Sequence, residues 1–121
     1  MTTIKNYKDL IIWQKSIMLV KIIYQITQFF PKEEQYGITN QLRRCAVSIP
    51  SNIAEGYGRN STNDYIRFLQ IATGSLYELE TQVEISFQLN YITQLQKDEV
   101  FNLCTEIDKM IYSLIQKIKQ S

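Results

Sequence analysis

Between Tyr65 and Val83 apolar residues fall at 65, 69, 72, 76, 79 and 83, in alternating steps of four and three. That spacing keeps one face of an α-helix apolar for five turns and cannot be laid on one face of a strand, whose side chains alternate. The same rhythm recurs elsewhere. Ile38, Leu42, Cys45, Ile49 and Ile53 form one such seam, and Val100, Cys104, Ile107, Ile111, Leu114 and Ile118 form another. A chain of 121 residues with only four glycines and two prolines has little material for anything but helices and short turns.

Four helices are expected. The first runs from about Lys8 to Phe30, where Pro31 stops it. The second runs from about Glu33 to Ala54. The third opens at Ser61, a capping residue with Asp64 three positions on. The fourth runs from about Thr93 to Lys119, with Lys117 and Lys119 at the end that suits cations. Short connections make neighbours antiparallel, so residues 1–121 read as a single domain: an all-α, up-and-down antiparallel four-helix bundle.

The first helix carries more apolar surface than one face needs. Leu10, Trp13, Ile17, Val20 and Tyr24 make one seam, and Ile12, Leu19, Ile23, Ile26 and Phe30 make a second. A surface helix buries one stripe. The surplus predicts self-association, with Ile12, Leu19 and Ile23 as interface residues.

The segment VSIPSNIAEGYGRNS (47–61) interrupts the pattern with a proline. Pro50 removes the amide that the Ala46 carbonyl would accept from, yet Ile49 and Ile53 stay in step with Leu42 and Cys45. One helix kinked at Pro50 is expected, with Ser48, Ser51 and Asn52 bonding the freed groups. Gly56 and Gly58 are expected to supply left-handed or otherwise strained dihedrals that end it. Glu55, just before this turn, is expected to cap or bridge, with Arg59, the next helix's amides or an arginine of a neighbouring chain as partner.

Little chemistry is on offer. The chain has no histidine, which removes the commonest general base and metal ligand. Glu80 and Glu84, one turn apart, read as solvated acids before they read as a cation clamp. No phosphate-binding glycine loop or nucleophile motif occurs. Neither catalytic residues nor a cofactor is expected. Cys45 and Cys104 both lie on apolar seams and read as buried free thiols. No run reaches the ~20 apolar residues a membrane span needs. The opening MTTIKNYKD lacks the apolar core and cleavage site of a signal peptide. A cytoplasmic location and no membrane partner are the expectation.

The net charge is +1, so no overall basic footprint points to nucleic acid. The charge is uneven, however. Residues 1–67 hold nine Lys/Arg and five Asp/Glu, a balance of +4, whereas residues 68–121 hold four and seven, a balance of −3. Arg43, Arg44, Arg59 and Arg67 are the candidate nucleic-acid contacts in the basic part.

YKDLIIWQKS (7–16), then FP followed by YGITNQLRRCAVSIPSNIAEGYGR (within 30–59), then DYIRFLQIATGSLYELETQ (64–82), succeed one another in an order that resembles the bacterial four helix bundle protein family, also called the 23S rRNA intervening-sequence protein family. SIPSNIAEG and GSLYELE are its most distinctive strings, and both stand intact. The resemblance implies a left-handed up-and-down bundle that assembles into ring-like pentamers. The family is similar to the accessory protein of diversity-generating retroelements, a basic pentamer that engages nucleic acid and a reverse transcriptase. The resemblance thus implies a homo-oligomeric scaffold or adaptor whose partners are structured RNA or a nucleic-acid-processing protein. A protein-only interaction module is the alternative. No enzymatic activity is implied. In this light Pro50, Asn52, Glu55 and Gly56 are expected to be architecture that faces a neighbouring subunit.

Overall fold

A computed structural model describes residues 4–121. It contains α1 (Ile11–Thr27), α2 (Ile38–Tyr57), α3 (Thr62–Gln88) and α4 (Gln94–Gln120), with one-turn 3-10 segments at Tyr7–Asp9 and Lys32–Glu34. The helices touch in the cyclic order α1–α2, α2–α3, α3–α4 and α4–α1, with no diagonal contact among the described residues. The molecule is therefore an up-and-down bundle of antiparallel neighbours.

Each boundary has a local cause. Asn6 accepts from the Lys8 amide at 2.8 Å while the Asp9 carboxylate accepts from the Lys5 and Asn6 amides, which folds residues 7–9 into a tight turn. Leu10 is then extended, so α1 starts at Ile11, later than the sequence suggested. Residues 32–34 form their own turn because Gly37, not Glu33, is the N-cap of α2; the Glu34 carboxylate accepts from the Ile38 amide at 3.4 Å. Ser61 caps α3 through the Asp64 amide, and Thr93 and Gln96 form a reciprocal capping box on α4. At the end of α3, Asn90 takes φ 63°, with Tyr91 N–H donating to Ser86 O and Asn90 N–H to Phe87 O. This is a Schellman closure with asparagine in the position glycine usually fills.

The core is formed from all four seams. Leu19, Ile23, Leu42, Ile49, Ile53, Leu69, Leu76, Leu79, Val83, Val100, Ile107 and Ile111 are essentially without solvent contact. Burying each such side chain stabilises the fold by ~1.5–3 kcal/mol before conformational entropy is set against it. Both cysteines are buried and free. Burial, followed by the charge of Glu78, pushes the Cys45 thiol up to about 12; burial, followed by Glu80, does the same for Cys104.

Two expectations need correction here. Ile12, Leu19 and Ile23 lie inside the subunit, at 4%, 0% and 0% exposure, so this seam is core and not a surface left for self-association. The apolar groups that α1 leaves exposed are others, Ile11, Met18 and Tyr24, with Phe29 just beyond its end. Gly56 does not end α2. The helix continues through it to Tyr57, and no glycine has positive φ. Gly56 is buried against α3, where a Cβ would stand 2.7 Å from Phe68 Cβ and 3.1 Å from the Tyr65 ring. It is glycine because two helices meet there. Gly58, the C-cap, has ordinary right-handed dihedrals.

Pro50 is buried within an unbroken α2. Around it, Ser48 Oγ donates to the Cys45 carbonyl at 2.7 Å and lies 2.8 Å from Ser75 Oγ of α3. The Asn52 amide donates to the Ser48 carbonyl at 2.7 Å. The polar residues beside the proline thus serve the helix backbone and its junction with α3, as local side-chain bonds of this kind do.

Candidate nucleic-acid interface

The link from Gly58 to Ser61 is four residues long, so the end of α2 and the start of α3 form one corner of the bundle. Because Gly56 lets α3 approach closely, Phe68 packs beneath this corner. Arg59, in the link, and Arg67, in the first turns of α3, are both exposed, and both lay their guanidinium groups over the Phe68 ring, at 4.8 and 4.7 Å from its centroid. Guanidinium is weakly hydrated and stacks on an aromatic face while its N–H fork stays free for an oxyanion. Arg67 is also 3.5 Å from the Asp64 carboxylate. At this exposure such a pair orients the side chain more than it stabilises the fold.

Beside the two arginines, Tyr57 and Tyr65 meet edge to face at 6.1 Å. Burial, then the neighbouring Tyr57, pushes the Tyr65 hydroxyl up to about 12, so it remains a neutral donor at any physiological pH. The corner therefore presents two cations on an aromatic base with phenol groups adjacent.

The other two candidate arginines lie elsewhere. Arg43 faces α1: its Nε donates to Thr27 Oγ1 at 2.8 Å, a second nitrogen donates to the Tyr24 carbonyl at 3.4 Å, and the guanidinium stacks on the Tyr24 ring at 4.6 Å. The Tyr24 carbonyl also accepts from the Gln28 amide, so Arg43 adds a second donor there and fastens the end of α1 to α2. Arg44 is exposed with no hydrogen-bond or ionic partner among the described residues, roughly 20 Å along the helix axis from the corner at 1.5 Å per residue. Adjacent residues point about 100° apart, which is why neighbours in sequence serve such different surroundings.

Glu55 makes no bridge to Arg59 or to the amides at the start of α3. It is exposed at the end of α2 and has neither a hydrogen bond nor an ion pair among the described residues. Nor do Glu80 and Glu84 form a clamp. Glu84 is paired with Lys97 and accepts from Gln88, which lowers its carboxyl below the usual range. Glu80 is raised by partial burial and by Asp108. No group of three potential metal ligands occurs among the described residues. No helix there is long and apolar enough to cross a membrane.

A second surface went unnoticed in the sequence. Where α1 begins and α4 ends, the two helices leave an open groove of about 1060 Å³, with Leu10, Ile11, Met110 and Leu114 in its lining and Lys109 and Lys117 beside them. Lys15 and Glu106 pair across the same flank at 2.6 Å. Ile11 is the apolar residue of this lining that belongs to neither seam read for the first helix.

A comparison with curated proteins gives no match. Among solved structures, the chain is similar to a protein of unknown function from the S23 ribosomal protein family of Bacteroides thetaiotaomicron. The two share 29% identity and a TM-score of 0.80, over 87% of this chain and 98% of the other. The family model described as 23S rRNA-intervening sequence protein matches residues 8–113. A match of that extent takes in α1, α2, α3 and most of α4, together with the Phe68 corner: this chain belongs to the 23S rRNA-intervening sequence protein family.

Proposed function

We propose that this protein is a non-enzymatic, self-assembling helical scaffold that binds structured RNA, free or within a nucleoprotein, at the α2–α3 corner. The observation that carries the reading is the pair of exposed guanidinium groups, Arg59 and Arg67, held over one aromatic ring. Two arginines fixed in this way suit the phosphate backbone of a folded RNA, with little sequence preference. One corner is a weak site. An assembly repeats it, and a single RNA that reaches several copies gains affinity without any new contact. Arg44 adds charge on the same helix at a distance. Arg43, being spent on α1, contributes nothing to this site.

The test is a salt series on a ribosomal RNA fragment with secondary structure, comparing wild type, Arg59→Ala/Arg67→Ala and Arg44→Ala. The wild type is expected to bind at low salt and weaken steeply as salt rises, because phosphate neutralisation releases counterions. The double variant is expected to bind less at every salt concentration, with a log–log slope shallower by about 1–2. No retention of RNA by the wild type at low salt would end the RNA reading.

A second reading, a module that binds only protein, is favoured by a different observation. Ile11, Met18 and Tyr112 are more than half exposed along the α1–α4 flank, an apolar surface suited to protein and not to phosphate. Failure of the RNA experiment would leave this reading in place.

A further inference from the structure

Among the described residues the three most exposed large apolar side chains are Tyr36, Phe29 and Leu95, at 88%, 80% and 78%; the next, Tyr112, is at 65%. All three belong to one end of the bundle. Phe29 and Tyr36 flank the turn at Lys32–Glu34 between α1 and α2. Leu95 lies in the first turn of α4, after a connection that begins at Leu89, the half-exposed C-cap of α3. The two connections adjoin, since Tyr91 donates to the Glu34 carboxylate and packs on Phe30.

These side chains have no task inside the subunit. Phe30 and Ile92 turn inward from the same two connections and close the core at this end. Single exposed apolar residues are ordinary, but four gathered at one end of a small domain mark a surface that another molecule covers.

Charge selects that molecule. The two connections and the first turns of α4 hold Glu33, Glu34, Asp98 and Glu99 against Lys32 and Lys97. Lys97 is already paired with Glu84, whereas Glu33, Asp98 and Glu99 have no cationic partner among the described residues. An RNA backbone or an anionic lipid surface is repelled from such an end, and a cationic surface is drawn to it. We propose that this end docks a cationic segment of another protein, one that carries apolar side chains between its lysines and arginines. Phe29 and Tyr36 supply the aromatic anchors, and the acids form the rim around them. The Arg59–Arg67 corner stands at the other end of α2, a helix of 20 residues and about 30 Å, so an RNA and a basic protein can be held at once. The proposal does not depend on the RNA reading and survives its failure.

The probe is a short synthetic peptide of lysine and arginine with leucine or phenylalanine at helical spacing, labelled with fluorescein and titrated with the full chain. Two control peptides replace its apolar residues by serine or its basic residues by glutamate. The wild type is expected to bind the first peptide, to bind the serine control at least about tenfold more weakly, and not to bind the glutamate control. Phe29→Ser/Tyr36→Ser is expected to weaken binding by about tenfold or more, and Glu33→Lys/Glu99→Lys by a similar factor with a reduced dependence on salt. All four residues are exposed, so each variant should melt as the wild type does. Arg59→Ala/Arg67→Ala is expected to bind the peptide unchanged, and Phe29→Ser/Tyr36→Ser to treat RNA as the wild type does. No binding of the first peptide, or binding that Phe29→Ser/Tyr36→Ser leaves unchanged, would overturn the proposal. So would loss, in that variant, of RNA retention, of adsorption to phosphatidylcholine vesicles or of assembled mass, which would give this end to RNA, to a membrane or to a second copy.

Discussion

Gly56 of α2 and Phe68 of α3 are in direct register: the missing side chain of one is the space occupied by the other, with a Cβ on the glycine falling 2.7 Å from Phe68 Cβ. This contact sets how closely α2 and α3 approach, and it positions the ring on which Arg59 and Arg67 rest. Gly56→Ala removes glycine's disadvantage in a helix, worth ~1 kcal/mol. It also overpacks a site where the nearest atoms are a side-chain root and a ring, a cost of ~1–3 kcal/mol. A net loss of stability is expected, measured by urea unfolding, together with weakened RNA retention.

Ile23 and Met18 lie little more than one turn apart on α1 and should respond in opposite ways. Ile23→Ala opens a cavity in the subunit core and is expected to cost about 2–5 kcal/mol, whatever the assembly state. Met18→Lys replaces an exposed side chain, and the stability of the isolated subunit is expected to stay within about 0.5 kcal/mol. Denaturant unfolding at low protein concentration separates the two.

Arg43→Ala is expected to destabilise the fold by about 1–3 kcal/mol, because it takes charged donors from Thr27 Oγ1 and the Tyr24 carbonyl at the end of α1. Glu55→Gln is expected to leave the unfolding midpoint unchanged within error, since Glu55 is exposed and unpaired among the described residues. A large loss in Glu55→Gln at assembling concentrations, and none at dilution, would place Glu55 against a neighbouring copy.

Both thiols carry a raised pKa in the fold, about 12 against an ordinary value of 9.0. The folded state therefore holds protons that the unfolded state releases first. Their contribution to stability is complete below about pH 9 and is lost as pH rises from there toward 12. Alkylation by iodoacetamide at pH 8 is expected to be slow in native protein and fast in urea, because the thiolate is the reactive form.

Much of the fold was legible because it depends on spacing within one helix. The seams of α2 and α3 pack residue for residue as read, apart from the half-buried Ile38 and Tyr65 at their ends. In α4 the reading holds to Ile111 and then drifts. Ile115, not Leu114 or Ile118, is the next buried residue, since a straight helix at 3.6 residues per turn runs ahead of a 3.5-residue repeat. The features that were not legible depend on a second segment. Which of two apolar seams of α1 turns inward is decided by its neighbours. Gly56 looked like a helix stop because Phe68, twelve residues on, gives no local sign of meeting it. Arg43 and Arg44 look alike in sequence, and only the position of Thr27 distinguishes them. Arg59 and Arg67 were both named as candidates, but their shared ring was visible only once α2 and α3 had met.

The connection between α1 and α2 and the connection between α3 and α4 are joined side by side. Tyr91 donates its hydroxyl to the Glu34 carboxylate at 2.9 Å, and its ring meets Phe30 at 5.3 Å. Both connections lie at the same end of the bundle. The opposite end has only the α2–α3 link, with the start of α1 and the end of α4 parted by the groove. The molecule is thus built like a spring clip, with its hinge at Tyr91 and its jaws at the groove. Thermal opening should begin at the jaws, so amide exchange should be fastest in the first turns of α1 and the last turns of α4, and slowest beside the hinge.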